Sequence, residues 1–219
     1  EKGLVRAAVR GARGKSKKGA SLQLLTEVTV SLFRKEGADL SRADAMEIER
    51  SSFALAQSPD AAMLLPYLAE SVLTFVPENE PGGEVYRLLR HTLDALESGA
   101  PASLSARYFE VWLLRFAGLF PDERACAACG ELLEEGAAVF APEVPGFFHA
   151  ACAARGSLSV SLDVRSLVSR FRRSTLSKLV SSQKLSDETL DGVESLTREV
   201  RRRFLGHELK SYRFLRSLL

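Results

Sequence analysis

Polar and apolar side chains alternate along residues 27–33. Val28, Val30 and Leu32 are set against Glu27, Thr29 and Ser31, the period of two that marks a half-buried strand. Ala43–Arg50 alternates again, with Met46 and Ile48 between Glu47 and Glu49, and Glu36-Gly37-Ala38-Asp39 reads as the tight connection. Gly3–Arg10 also reads as a strand, with no turn and no initiator Met ahead of it, which predicts a truncated start. Gly11–Gly19 follows as a glycine-rich, basic loop with too few apolar residues to be buried.

From Ser58 the period lengthens. Ser58-Pro59 predicts a helix start, a capping hydroxyl followed by proline in the first turn. Leu64, Leu65, Leu68, Val72 and Phe75 then recur at helical spacing, and Pro66 within them predicts a kink or a later start. Glu84–Glu97 predicts a second helix through Val85, Leu88, Leu89, Leu93 and Leu96, stopped by Gly99 and Pro101. Ser103 is the expected cap of a third, Leu104 to Leu119, with Tyr108, Val111, Trp112, Leu114 (or Leu113) and Phe116 as its stripe. Residues 121–156 show little periodicity. Helices are predicted again over Leu162–Val180 and from Ser186 through Leu190, Val193, Leu196, Val200 and Phe204, with Gly206 as a stop.

The 219 residues are 46% hydrophobic and 26% charged, which excludes wholesale disorder and leaves room for one or two domains. No apolar run reaches the roughly 18 residues of a membrane span, and no signal-peptide core opens the chain. The net charge of +2 hides an asymmetry. Residues 1–18 carry Lys2, Arg6, Arg10, Arg13, Lys15, Lys17 and Lys18 against Glu1, a local charge of +6. Arg198–Arg216 carries +5 through Arg198, Arg201, Arg202, Arg203, Lys210, Arg213 and Arg216. Two basic regions on a near-neutral body point to a polyanion such as DNA or RNA. The competing reading of the first is a solvated loop tip, which seven bases in 18 residues disfavour; the second equally fits a solvated helix face. Arg165, Arg170, Arg172, Arg173 and Lys178 make a similar, weaker case.

All three cysteines fall into paired positions. Cys126-x2-Cys129 is followed, nineteen residues on, by His149-x2-Cys152. Two such knuckles supply four soft or borderline ligands for tetrahedral zinc, with no open position, so the site reads as structural. Gly130 and Pro145-Gly146 supply the turns, and Phe147 and Phe148 the apolar shield. The competing reading is three unrelated thiols and a surface histidine. An odd cysteine count disfavours a secreted disulfide framework and fits a reducing cytosol. Gly14-Lys15-Ser16 matches the end of a phosphate-binding loop, but Val9 stands where the motif needs its first glycine. No G-x-S-x-G, H-E-x-x-H or G-x-G-x-x-G after a strand is present. His91 and His207 read as structural, and nothing marks Asp39, Glu47 and Glu49 as a nuclease cluster.

The order of parts, with several motifs, resembles the bacterial recombination mediator family RecO. Arg107–Pro121 (RYFEVWLLRFAGLFP) running into Cys126-Ala127-Ala128-Cys129-Gly130 looks like the family's G-x-x-P helix end before C-x-x-C-G. Tyr86–Arg90, Gly206–Ser211 (G-x-x-L-K-S) and the basic Val9–Lys15 are similar to further family segments. The resemblance implies an α+β fold: a partial OB-fold barrel over 1–55, lacking about two strands, and a mainly helical domain over 56–124 and 157–219. A zinc module is inserted at 125–156, and the family often has Cys where His149 stands. It also implies a cytoplasmic, nucleoid-associated mediator without catalytic turnover. Such a protein binds single- and double-stranded DNA, anneals complementary strands, partners RecR and single-stranded-DNA-binding protein, and assists RecA loading. Lys2, Arg6, Arg10, Arg13, Lys15, Lys17, Lys18, Arg198, Arg201, Arg202, Lys210 and Arg213 are the expected DNA contacts. The alternatives are a zinc-dependent nucleic-acid-processing enzyme and a zinc-containing protein-docking scaffold.

Overall fold

The computed structural model describes residues 3–9, 22–133, 136, 138–141, 144–153, 157–182 and 185–216. The basic segment 10–18, with Arg10, Arg13, Lys15, Lys17 and Lys18, lies outside the described residues, as does Lys2. The fold is α+β, as the sequence implied: N-terminal strands, a helical body and a compact Cys/His cluster between its helices.

Strands β1 (Ala7–Val9), β2 (Glu27–Phe33) and β3 (Ser41–Arg50) form one sheet in the order β1-β3-β2. β1 is parallel to β3, with Ala8 opposite Arg42; β2 is antiparallel to β3, with Phe33 opposite Arg42. The β2–β3 register shifts between Ser31 and Leu32. The connection turns at Gly37, and the Ala38 N–H donates to the Lys35 carbonyl at 3.0 Å. The first strand is shorter than Gly3–Arg10 predicts; Leu4 makes only an isolated bridge to Glu78.

A short helix that the sequence did not announce, α1 (Phe53–Gln57), leads into α2 (Pro59–Phe75). α2 starts at Pro59 and runs through Pro66. Proline in a helix interior costs about 3 kcal/mol; Leu64, Leu65, Tyr67 and Leu68, all buried around it, offset that loss. The Ser58 hydroxyl makes no cap; only its carbonyl is used, accepting from the Ala62 N–H at 2.8 Å. α3 (Gly83–Glu97) and α4 (Ala102–Phe116) follow. Ser103 is therefore inside the first turn of α4, and Pro101 takes the cap position. The predicted helix over 162–180 is two helices, α5 (Leu162–Arg173) and α6 (Leu176–Ser181), broken where Ser174 is extended. α7 (Asp187–Leu205) is capped by Ser186, whose hydroxyl accepts from the Thr189 N–H at 3.2 Å, and ends at Gly206 with φ +72°. α8 (Lys210–Arg216) closes the described chain.

α4 lies at the centre, in contact with α2, α3, α5 and α7. The body buries a charged cluster there, with a carboxylate at its middle. Glu110 of α4 is 2% exposed; it accepts from the Tyr67 hydroxyl at 2.5 Å and the Thr197 hydroxyl at 2.7 Å. It also faces Arg107 at 3.3 Å and Arg201 at 3.1 Å. Arg201 lies over Tyr212, 4.6 Å from the ring centroid, and over Tyr67 at 5.6 Å. Burial pushes the Glu110 carboxyl up, but Arg107, Arg201 and the two hydroxyls outweigh it and hold the group below the usual carboxylate range.

A second carboxylate joins distant elements. Glu70 of α2 accepts from the backbone N–H groups of Lys210 (3.1 Å) and Ser211 (2.7 Å) and from the Ser211 hydroxyl, so it caps α8 from another helix. Glu70→Ala is expected to cost about 1 kcal/mol, the usual worth of a lost cap, and to speed amide exchange in 210–216. Unchanged protection there would count against this role.

Candidate metal centre and basic surfaces

The first cysteine pair sits on a small hairpin. Ala125 bridges Leu132, the Leu133 N–H donates to the Arg124 carbonyl at 2.8 Å, and the Cys126 N–H donates to Glu131. Gly130, at φ +77°, lets the chain double back, its N–H reaching the Cys126 carbonyl at 2.9 Å. A left-handed backbone here suits glycine. The second pair lies between two strands of a three-stranded sheet that the sequence did not reveal: β4 (Ala138–Ala141), β5 (Gly146–Phe148) and β6 (Leu158–Val160), ordered β5-β4-β6. His149 precedes a single 3-10 turn, Ala150–Cys152, directly after β5, and Cys152 ends it. The Ala127 N–H donates to the Phe147 carbonyl at 2.9 Å, so backbone joins the two knuckles. Phe147 and Phe148 are buried, and Phe147 packs on Phe120 and Phe140.

Cys126, Cys129, His149 and Cys152 bring their four ligand atoms within 4.8 Å of one another. Metal–sulfur and metal–nitrogen bonds of zinc dimensions at a tetrahedral angle require sulfur and nitrogen about 3.6 Å apart. Cys129 Sγ and His149 Nδ1 are 3.5 Å apart. His149 Nε2 lies 3.3 Å from the Leu132 carbonyl, the backbone partner that fixes tautomer and ring orientation in a metal-ligating histidine. Burial pushes the Cys126 thiol up; the backbone N–H groups of Cys129, His149 and Ala128 outweigh it and bring the thiol down to about 6. Burial and its two sulfur neighbours push the Cys152 thiol up to about 11. Three crowded sulfurs cannot all ionise without a cation among them, and the residues fit a bound metal ion. Among the described residues no other Cys, His, Asp or Glu cluster of this kind occurs, so Asp39, Glu47 and Glu49 do not converge.

Helix α5 clasps the module. Arg165 donates to the Leu133 carbonyl at 2.8 Å and the Gly136 carbonyl at 2.7 Å. Glu123, 1% exposed, takes Arg115 of α4 at 2.8 Å and the Ser169 hydroxyl of α5 at 3.1 Å. Arg165 is thus a structural residue and not a nucleic-acid contact.

The C-terminal basic face is smaller than its sequence suggested. Arg201, expected to contact DNA, is 2% exposed against Glu110; buried there, it cannot reach a phosphate. Arg198 is paired with Glu208 at 2.7 Å, and Arg202 approaches the same carboxylate at 3.7 Å. Lys210 and Arg213 are exposed on α8. Arg6 is exposed and paired with Glu78 at 2.5 Å. Sequence periodicity could not reveal the burial of Arg201, because its partner lies in α4, far away along the chain. No helix among the described residues is long and apolar enough to cross a membrane.

Two family models match this chain. "Recombination protein O N terminal" covers residues 1–52 and "Recombination protein O C terminal" covers 56–213. A DNA repair protein RecO from Anaeromyxobacter sp. (strain K) is 34% identical over 154 residues, covering 70% of this chain and 61% of that relative. The Koribacter versatilis (strain Ellin345) DNA repair protein RecO is 30% identical over 175 residues, covering 80% and 70%. That of Anaeromyxobacter dehalogenans (strain 2CP-C) is 29% identical over 218 residues, covering 98% and 85%. The match thus spans about three-fifths of the first relative's length.

Proposed function

Because this chain belongs to the RecO family of DNA repair proteins, we propose that it is a non-catalytic repair mediator. In this reading it binds single- and double-stranded DNA, anneals complementary strands, and acts with RecR and single-stranded-DNA-binding protein in RecA loading. The observation that carries it is the charge of the N-terminal sequence. Seven bases fall in the first 18 residues, before and after β1 of the β1–β3–β2 sheet. Annealing brings two polyanions together, and a cationic segment screens their repulsion while releasing counterions. Lys2, Arg6, Arg10, Arg13, Lys15, Lys17 and Lys18 are the proposed contacts, with Arg202, Lys210 and Arg213 as a secondary patch. The proposed organisation keeps the strands of 1–55 as the DNA module, the helices of 56–124 and 157–219 as the body, and 125–156 as its metal insert.

We assign the metal as one structural zinc held by Cys126, Cys129, His149 and Cys152, on the donor set of three sulfurs and one nitrogen and on its spacing. When bound, the ion neutralises the crowded thiolates and locks the two knuckles together. The residues themselves orient it: Leu132 fixes the His149 ring, and three backbone N–H groups meet Cys126.

Neutralising Arg10, Arg13, Lys15, Lys17 and Lys18 together is expected to weaken binding to all sequences alike. The log–log salt slope should flatten by roughly 0.7 per lost contact on single strands. Parental affinity of the quintuple variant for single-stranded DNA at moderate salt would overturn the reading of the basic segment. Divalent-ion-dependent cleavage of DNA by the purified protein would instead favour a nuclease.

A further inference from the structure

Three helices of the body end around one groove, and each brings a phenylalanine to it. Phe75 is the last residue of α2, Phe116 the last of α4, and Phe204 stands one residue before the end of α7. With Val85, Leu113 and Leu119 they line a hollow of about 460 Å³, within the range of small-ligand pockets. Phe75 is buried, but Phe116 is 38% and Phe204 57% exposed. The Phe204 ring lies 5.8 Å from that of Phe75, so it is held in place while more than half of it meets water. The groove is also electronegative. Each of the three helices turns the negative end of its dipole there, roughly half an elementary charge apiece. Pro77, two residues past α2, has no N–H with which to meet a carbonyl of its last turn. Glu80 and Glu84 are exposed at the groove, and no Lys, Arg or His lines it. Arg115 and Arg202, on the same last turns, face Glu123 at 2.8 Å and Glu208 at 3.7 Å. The loop that carries Glu80 is tied to the N-terminal sheet. The Asn79 N–H donates to the Leu4 carbonyl at 2.9 Å, Arg34 donates to the Asn79 side-chain oxygen at 3.0 Å, and Glu78 pairs with Arg6 at 2.5 Å. The groove is therefore formed in advance of any occupant, which lowers the cost of binding one.

We propose that this groove docks a short segment of a partner protein, one that carries a large apolar side chain flanked by lysine or arginine. The apolar side chain leaves water against Phe116 and Phe204, as a buried anchor does at the centre of an interface. The flanking bases meet Glu80, Glu84, the three helix ends and the open faces of the rings, all of which attract a cation. The same charges repel phosphate and carboxylate, which disfavours DNA and acidic peptides. A second copy of the chain would need about 800 Å² of each surface, far more than two part-exposed rings supply. None of the proposed DNA contacts lines the groove, so docking here does not depend on the DNA reading.

The test selects phage-displayed random peptides on the parent protein and, in parallel, on Phe204→Ser. The substitution sits on an exposed side chain, and a melting curve checks that the variant folds like the parent. Sequences enriched on the parent alone should place Phe, Trp or Leu beside Lys or Arg. One such peptide, synthesised with a fluorescent label, is then titrated by anisotropy. Phe204→Ser should weaken its binding about 30-fold, the loss expected at an interface anchor. Glu80→Gln with Glu84→Gln should weaken it about 2- to 10-fold and flatten its salt dependence. DNA affinity should stay at the parental value in both variants. Enrichment of acidic or uncharged sequences, no enrichment specific to the parent, or parental peptide affinity in either variant would overturn the proposal. A parent that self-associates in sedimentation and becomes monomeric on Phe204→Ser would make the occupant a second copy instead. Loss of DNA affinity in Phe204→Ser would make it a nucleic acid, and either result overturns the assignment to a basic peptide.

Discussion

A Glu110→Ala variant is expected to lose about 3–5 kcal/mol of folding stability, the usual cost of breaking a buried ion pair by removing one partner. The carboxylate accepts from the Tyr67 and Thr197 hydroxyls and is the counter-charge that Arg107 and Arg201 share. Without it, two guanidinium groups that are 3% and 2% exposed face each other uncompensated. Glu194, half-buried nearby, is a poor substitute, because burial pushes its carboxyl up towards the neutral form. Since whole domains are stable by only about 5–15 kcal/mol, the variant should unfold at markedly lower urea with an unchanged m-value. Glu110→Gln, which keeps hydrogen-bonding atoms but no charge, should fall between. The same group dictates a response to acid. Its carboxyl is lower in the folded than in the unfolded chain, so its contribution is complete above the unfolded value of about 4.3 and disappears as pH falls through the folded one. Parent and Glu110→Gln should therefore converge in stability in strong acid. A stability difference independent of pH would show that the carboxylate is not the source.

Cys129→Ser should be the second severe change. Removing one of four ligands from a closed site releases the metal, and metal affinity in such sites is folding free energy, up to about 10–16 kcal/mol in isolated peptides. Here part of the module is held without the ion by the Arg165 and Glu123 contacts, so the loss is expected to stay local. Melting should drop by about 2–4 °C for each kcal/mol lost, and amide exchange should accelerate between Cys126 and Cys152 while α2, α4 and α7 stay protected. The parent should carry one zinc per chain. Well under one zinc per chain, with all three thiols reduced, would refute the assignment.

The features legible in the sequence were those encoded locally. Alternation announced β2 and β3, and helical spacing announced α2, α3, α4 and α7. Two paired knuckles announced the cluster at Cys126, Cys129, His149 and Cys152. The misses share a physical cause. β4 is Ala-Val-Phe-Ala with Ala138, Phe140 and Ala141 buried, and a strand covered on both faces carries no period of two. The break at Ser174 has no glycine or proline to mark it. Ser58 and Ser103 had the right residue type for caps, but their hydroxyls were not used. Arg201 and Arg165 look like surface cations until Glu110 and the Leu133 and Gly136 carbonyls are in view. Burial of a charge is decided by its partner, and those partners lie in other elements.

The four-way meeting at Glu110 also sets an order in time during synthesis. Tyr67 and Arg107 leave the ribosome near Glu110, but Thr197 and Arg201 follow 87 and 91 residues later. At about 5–20 residues per second, that interval is roughly 4–18 s. The four residues of the Cys/His cluster, spread over only 27 residues, are complete well inside it. The nascent protein therefore holds a finished hairpin and insert while α2 and α4 still expose an unmatched carboxylate and the apolar face that α7 will cover. The helical body cannot close until its C-terminal third emerges, and for those seconds the unfinished face is what a chaperone or a neighbouring nascent chain meets.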